Sequence, residues 1–486
     1  MRVLLVMPSM DNGYWRKLGK KVGPKSEPLS LAYMGAMLKR HGHEVKILDC
    51  EALDYSFNDV ENYLNQNEFD AFGIAMLTIM YSQTIALSNI IKKIYPQARI
   101  IVGGPHPSAH GNAKEILEKE NVIDYAVMGE AEKTFAELLD VIEEEKETYE
   151  ELSKIEGIAF RNKNNVLITK PRETVKDLDE FPIPDRSLLD MKLYRPSVSY
   201  YRKLPAYIIL TSRGCGYRCT FCSKVFDKEF RFHSPDRVIE EMKILIEDYG
   251  AKEIVFRDDT FTMRFDWTKE VCEKIIEEGL NNKIKWSCMT RVSLVTPELL
   301  KLMKEAGCWG IHFGVESGSQ RLLDMIKKDV TIKQIKNAFK WCREAGIETR
   351  AFMMLGLPTE TRDESLKTIQ FAKELDADWA QFTITTPYPG TELYDQAMEL
   401  GELHGPKDWD NYQTWSGFSD HELVWTPKGR KSDELKELQR RALFEFYFRP
   451  KVILRKITNI SNIALLKKYI LGAMALASGG NGRPIE

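Results

Sequence analysis

Thr211-Ser212-Arg213-Gly214-Cys215-Gly216-Tyr217-Arg218-Cys219-Thr220-Phe221-Cys222 is the stretch that decides how this chain is read. Three cysteines stand in CxxxCxxC spacing, directly after an apolar run at 207–211 that reads as a strand. A loop leaving a strand end can turn three thiolates toward one point, and the two glycines let it bend. Three thiolates fall one short of a structural zinc site, which takes four ligands. They suit an iron–sulfur cluster with one iron left open for another ligand. The bland alternative is three ordinary buried thiols. That alternative is the better reading for Cys50, Cys272, Cys288, Cys308 and Cys342, which are scattered over helices and strands.

Around this loop the chain alternates strand and helix. Strands are expected at 207–211, 253–257, 285–289, 310–314, 349–354 and 379–385, each but the last followed by a helical stretch. Six such repeats predict a partial (β/α)6 barrel over 206–390, with its chemistry at the carboxyl ends of the strands. After Pro387 the pattern turns aromatic and irregular, then helical over 432–448. This predicts an aromatic, helical cap over 391–486. Trp409, Tyr412, Trp415, Phe418 and Trp425 could line a substrate pocket there or pack as a closed lid.

Upstream, residues 1–145 show the same alternation. Strands are expected at 3–7, 44–49, 71–76, 99–103 and 125–128, with helices at 29–41, 82–95, 113–120 and 133–145. That pattern predicts a Rossmann-like, doubly wound parallel sheet, which binds ligands at the carboxyl ends of its strands. The residues placed there are Met10 after the first strand and Leu29 at the start of the first helix. Thr78, Tyr81 and Ser82 follow the third strand, Gly103, Gly104 and His106 the fourth, and Gly129, Glu130 and Ala131 the fifth. No GxGxxG follows the first strand and no Walker pattern occurs, which argues against a dinucleotide or nucleotide triphosphate. Residues 146–205 read as a hairpin at 155–168 followed by a linker with five prolines.

Composition limits the function classes. At 486 residues with 43% apolar and 29% charged residues, the chain can bury more than one core. A net charge of −3 gives no reason to expect a nucleic-acid partner. Eight cysteines are too few for a disulfide framework, so a reducing cytoplasm is the expected setting. The apolar N-terminal run is too short for a signal peptide, and no stretch reaches the length of a spanning helix. Residues 463–477 read as a packing helix or a weak interfacial one, so peripheral membrane contact is the most that is expected.

The cysteine loop, with Phe221 just before its last cysteine, resembles the radical S-adenosylmethionine (SAM) superfamily. The Pro28-Leu29-Ser30-Leu31-Ala32-Tyr33, Gly103-Gly104-Pro105-His106, Gly129-Glu130-Ala131-Glu132 and Phe181-Pro182-Ile183-Pro184-Asp185-Arg186 phrases resemble its cobalamin-dependent branch. That branch contains the anaerobic magnesium-protoporphyrin ester cyclase and many C-methyltransferases. With Tyr447-Phe448-Arg449-Pro450, the likeness spans nearly the whole chain.

The resemblance implies a [4Fe–4S] cluster on Cys215, Cys219 and Cys222, with SAM on its open iron. It places Phe221, Asp258, Asp259, Arg291, Glu316, Ser317 and Leu357 around SAM, and cobalamin in the groove of the first sheet. One departure stands out: there is no Asp-x-His-x-x-Gly motif to give cobalt a histidine, and His41 and His43 do not supply it. The implied activity is methyl transfer from methylcobalamin to an unactivated carbon after hydrogen abstraction by a 5′-deoxyadenosyl radical. Oxidative cyclisation within the same branch is the alternative, and a non-catalytic cobalamin or SAM sensor is the alternative of another class. A small-molecule or peptide substrate and an electron donor such as flavodoxin or ferredoxin are the implied partners.

Overall fold

Val3, Leu4, Leu5 and Val6 are all buried, so the first strand is covered on both faces, as a central parallel strand must be. The computed structural model describes residues 1–10 and 24–458, apart from 110, 198, 224, 225, 227, 228, 406, 419 and 420. The stretch 463–477 lies outside the described residues. In the structure that first strand, β1 (Arg2–Met7), sits between β2 (Glu44–Asp49) and β3 (Ala71–Ala75). They are followed by β4 (Arg99–Gly103) and β5 (Tyr125–Val127), and all these neighbours pair in parallel. The hairpin β6 (Ile158–Asn162) and β7 (Asn165–Ile168) then adds to β5 antiparallel. The sequence groups that hairpin with the linker, but it extends the first sheet instead. Its strand pairing lies between segments about thirty residues apart, which no local pattern displays.

Helices cover both faces of this sheet. The first, α1 (Leu29–Arg40), begins after Pro28 and buries Leu31, Tyr33, Met34, Met37 and Leu38. Further along are α2 (Tyr81–Ile94), α3 (Asn112–Lys119) and α4 (Ala131–Glu143). Each large apolar side chain buried here contributes roughly 1.5–3 kcal/mol.

The second sheet has six parallel strands in the order β15-β14-β13-β12-β11-β8. They are β8 (Ala206–Ile209), β11 (Glu253–Phe256), β12 (Lys285–Thr290), β13 (Cys308–Glu316), β14 (Glu348–Leu355) and β15 (Trp379–Ile384). This is the open six-stranded barrel wall expected from the six repeats. Between β8 and β11 lie two short strands, β9 (Ser212–Arg213) and β10 (Arg231–Phe232), then α5 (Pro235–Glu247). On the far side, α6 (Ser432–Tyr447) lays Leu435, Leu438, Ala442, Leu443 and Phe446 on β15 and closes that edge.

The proline-rich linker joins the sheets through a buried ion network. Arg186 reaches Glu27 at 3.1 Å and Glu241 at 2.7 Å, while Glu27 accepts the Ile208 amide of β8 at 2.8 Å. Five of the cap's aromatic residues settle into cores. Trp409, Tyr412 and Trp425 pack together against Tyr81, and Phe418 and Trp415 join the core of the second sheet. Among the described residues no helix is long and apolar enough to cross a membrane.

Candidate functional site

The cysteine loop leaves β8 and is clasped at its base, where β9 pairs antiparallel with β10. Gly214 turns the chain out of this clasp at φ +89°. A Cβ there would lie 2.1 Å from the Glu229 carbonyl oxygen, so the position admits only glycine. Cys219 is buried, Cys215 partly so, and Cys222 is exposed at the rim. Protein packed around its sulfur, then Asp259 and the other two thiols, push the Cys222 thiol up to about 12, while Lys328 opposes them. The three thiols thus share one electrostatic site. Among the described residues no three Cys, His, Asp or Glu side chains already stand at metal-holding spacing, so the loop supplies the donors and must draw them in.

The neighbours of these thiols suit a thiolate cluster with SAM beside it. Arg291, at the carboxyl end of β12, donates from Nη1 to Cys219 Sγ at 3.7 Å and from Nη2 to the Lys328 carbonyl. Its guanidinium lies 3.4 Å from the centre of the Tyr217 ring, and its buried Nε has no partner. An unpartnered buried donor beside a thiol is what a carboxylate ligand would satisfy. Phe221 and Leu357 share a small apolar cluster with Leu322 and Ile326, a surface for a flat ring. Glu316 is buried and paired to Lys328 at 2.7 Å, and Ser317 holds its own turn by accepting the Ser319 amide at 3.1 Å.

The acidic pair divides. Asp258 is fully buried on the outer face, where Oδ1 accepts the Thr211 amide and hydroxyl at 2.8 Å each and the Ser212 hydroxyl at 2.6 Å. Burial pushes its carboxyl up to about 6. Asp258 therefore anchors the root of the cysteine loop, while Asp259 is the member that acts on the Cys222 thiol.

At the first sheet's carboxyl edge, the structure gathers Thr78, Tyr81 and His106. His106 Nδ1 lies 3.3 Å from the Thr78 hydroxyl, and its ring stands edge-on to Tyr81 at 5.4 Å and to Trp409 at 4.8 Å. Burial lowers its pKa to about 4, which keeps the ring neutral. Ser82 bonds to Asp410 at 3.0 Å. Gly104, at φ +111°, passes 3.2 Å (as a would-be Cβ) from the Met76 carbonyl, and Gly129 donates its amide to Ser108. Gly103 closes β4 beside β5, while Met10 donates its amide to Glu51 at 2.8 Å. Leu29 and Ala131, each opening a helix, are partly buried against the core beneath.

Glu130 does something the sequence does not suggest. It pairs with Arg231 through Nη1 at 3.1 Å and through Nη2, and with Arg213 at 3.4 Å. Glu132 takes the other arm of Arg213 at 2.6 Å. Both arginines belong to the clasp at the base of the cysteine loop. The carboxyl edge of the first sheet is thereby bolted to the loop of the second. Sequence reasoning gave no role to Glu132, Arg213, Arg231, Tyr217 or Lys328. Glu132 in the Gly129–Glu132 phrase, and Arg213 and Tyr217 in the cysteine stretch, carried a positional signal; Arg231 and Lys328 carried none.

The carboxyl edge of a mainly parallel first sheet is thus tied to the thiol-bearing loop of a wholly parallel second sheet. The radical SAM superfamily matches residues 209–372 and the B12 binding domain residues 15–139. The chain is 37% identical over 477 residues to an uncharacterized methyltransferase of Pyrococcus horikoshii, covering 98% of each. It is 27% identical over 409 residues to the anaerobic magnesium-protoporphyrin IX monomethyl ester cyclase of Cereibacter sphaeroides, covering 83% of this chain and 64% of that one. In fold it is similar to the radical SAM methyltransferase TsrM of Kitasatospora setae, with TM-score 0.69 and 19% identity over 99% of this chain and 100% of that one. OxsB, a cobalamin-dependent SAM radical enzyme, gives TM-score 0.74 at 16% identity, over 99% and 71%. The chain belongs to the radical SAM superfamily, in the branch whose barrel is preceded by a B12-binding domain.

Proposed function

We propose that the protein is a cobalamin-dependent radical SAM methyltransferase acting on an unactivated carbon. The observation that carries this reading is the bolt of Glu130 and Glu132 to Arg213 and Arg231, which sets the B12 domain's carboxyl edge against the base of the cluster loop. Relatives named as methyltransferases support it. When bound, the cluster and SAM supply a 5′-deoxyadenosyl radical for hydrogen abstraction, and methylcobalamin supplies the methyl group.

The chain's own residues hold and shield this chemistry. Cys215, Cys219 and Cys222 are the cluster ligands. Arg291, through its free Nε, would receive the SAM carboxylate, and Asp259 would take the SAM amino group. Phe221 and Leu357 would offer the apolar surface for the adenine, and Glu316, steadied by Lys328, would serve the ribose. Thr78, Tyr81, Ser82, His106 and the Gly103-Gly104 and Gly129 turns border the cobalamin groove, which Trp409 covers on one side. His106 is neutral and packs edge-on against Trp409. The exposed Cys222 rim is where flavodoxin or ferredoxin would deliver electrons.

Anaerobic reconstitution with iron, sulfide and hydroxocobalamin tests the reading. The protein should then show cluster and corrin absorbance and form 5′-deoxyadenosine from SAM on reduction. Deuterium from the true substrate should appear in that product, and the methylated product should require corrin. No 5′-deoxyadenosine would refute an enzyme, and turnover without corrin would refute methyl transfer through cobalt and favour cyclisation.

A further inference from the structure

The lumen of the barrel holds positive charge that neither the cluster nor the SAM residues use. The strand registers set Met289, His312 and Arg350 in one row across β12 to β14, and Arg257, the residue after β11, joins it by donating to the Met289 sulfur. The next row toward the carboxyl ends is Asp259, Arg291, Gly314 and Phe352. It lies about 7 Å higher, at about 3.3 Å per residue. Side chains from four or five neighbouring parallel strands can meet only on the concave side, because helices fill the other. They do meet. Tyr200, entering from the linker below, stacks on His312 with ring centres 4.5 Å apart and planes 12° apart. The guanidinium carbons of Arg257 and Arg350 each lie 4.5 Å from the centre of the same Tyr200 ring.

Neither arginine has a carboxylate partner among the described residues. Arg350 donates to the Ser199 hydroxyl at 2.6 Å and the Gln381 carbonyl at 2.7 Å, and its buried Nε bonds to nothing. Arg257 reaches only the Met289 sulfur, at 3.7 Å. Of the acids in adjoining layers, Glu348 below pairs with Arg202 and Glu316 above pairs with Lys328, while Asp259 stands at the level of the cluster thiols and makes no ion pair with either arginine. His312 is 3% exposed with Nδ1 unpartnered, and burial followed by the charges of Arg350 and Arg257 lowers its pKa well below the usual range. It therefore adds no positive charge of its own. The lumen is open at this depth. Along β14 and β15 the inward residues Arg350, Phe352, Gln381 and Thr383 are partly accessible, while those between them are buried.

Two half-buried guanidiniums with no counter-ion form a ready receptor for a planar or tetrahedral oxyanion, because guanidinium forks bind both carboxylate and phosphate. We propose that Arg257 and Arg350 form the floor of the substrate site and bind an anionic group of the substrate, a carboxylate or a phosphate. This rests on the enzyme reading given above and narrows it to an anionic substrate class. The anion would sit one side-chain layer beneath Arg291 and Asp259. A substrate carbon about 7 Å from it would then stand at the level where SAM is held.

Isothermal titration of the reconstituted, SAM-loaded holoenzyme with inorganic phosphate, and separately with acetate, at fixed ionic strength tests the site. One of these anions should bind at one site. R257Q and R350Q should weaken it about tenfold or more, and R257K, which keeps the charge but loses the fork, should fall between wild type and R257Q. SAM affinity should be unchanged in all three. Three results would overturn the proposal. One is no binding of either anion by wild type at about 50 mM, and another is equal binding by the glutamine variants. The third is a parallel loss of SAM affinity, which would give the guanidiniums to SAM's own carboxylate. Anion binding lost in R257Q, in a sample that makes no 5′-deoxyadenosine, would support the site while refuting the radical reading.

Discussion

Cutting the bolt between the two domains should cost far more than an ordinary ion pair. The Arg213 and Arg231 side chains are each 3% exposed, and Glu130 is 7% exposed. Removing one partner of a buried pair leaves an uncompensated charge, which typically costs about 3–5 kcal/mol. In Glu130→Ala, Arg231 keeps the Val175 and Phe226 carbonyls, at 2.7 and 3.3 Å, and Arg213 keeps Glu132. The expected loss therefore falls at the low end, about 3 kcal/mol. Arg231→Ala should cost a similar amount because it leaves the buried Glu130 only the longer pair to Arg213, at 3.4 Å. The double variant removes both charges, so its loss should fall short of the sum by about 2 kcal/mol. Equilibrium urea unfolding of the four proteins, followed by circular dichroism, gives these differences. Amide exchange should also speed up around Arg213 and Arg231 in either single variant. A loss below about 1 kcal/mol for Glu130→Ala, the level of an exposed pair, would refute the reasoning, as would strict additivity.

Other outcomes follow from the same structure. Cys219→Ala should abolish cluster absorbance and reduce bound iron from about four per chain to near zero after reconstitution, checked by iron and sulfide analysis. Lys328→Ala strands the buried Glu316 carboxylate and should cost about 3–5 kcal/mol in urea unfolding, with much of the loss recovered in the Glu316→Ala/Lys328→Ala double variant. Burial raises the Glu360 carboxyl to about 7 against an ordinary 4.5. Its protonated form favours the fold below the unfolded value, and that contribution is lost as pH rises through 7. Glu360→Gln keeps an acceptor for the Leu357 amide and can donate to the Ser365 hydroxyl. It should therefore gain about 2–3 kcal/mol over wild type at pH 8 relative to pH 4.5, read from urea midpoints, at about 1.4 kcal/mol per unit.

Both sheets are legible in the sequence because their strands are short apolar runs separated by helical periods, and parallel strands are covered on both faces. The cysteine loop is legible because its spacing, its glycines and its place after a strand agree with one another. What the sequence hides is long-range pairing. Glu132 and Arg213 are 81 residues apart, and Glu130 and Arg231 are 101 apart. Glu130 was expected at the first sheet's carboxyl edge, and it is there. Its partner is an arginine of the cluster loop because folding brings that loop to the same edge. Lys328 stands between Lys327 and Asp329 in what reads as a solvated turn, and nothing local marks it as the buried partner of Glu316.

The Asp258-Asp259 pair shows why strand ends resist reading from sequence alone. Side chains alternate across a strand, so two neighbours continuing β11 cannot both face the lumen. Which one does depends on the register of the whole sheet. Arg257 reaches the Met289 sulfur, Asp258 turns to Thr211 and Ser212, and Asp259 is left to act on the Cys222 thiol. Facing outward does not make Asp258 idle. Its Oδ1 is spent on Thr211 and Ser212, the residues from which the cysteine loop departs. One dipeptide therefore supplies a carboxylate toward the cofactor and another that fixes the root of the loop holding it. The Thr-Ser-Arg before the first cysteine and the Arg-Asp-Asp after the next barrel strand form one structural unit, and in it only the strand register decides which residue meets the ligand.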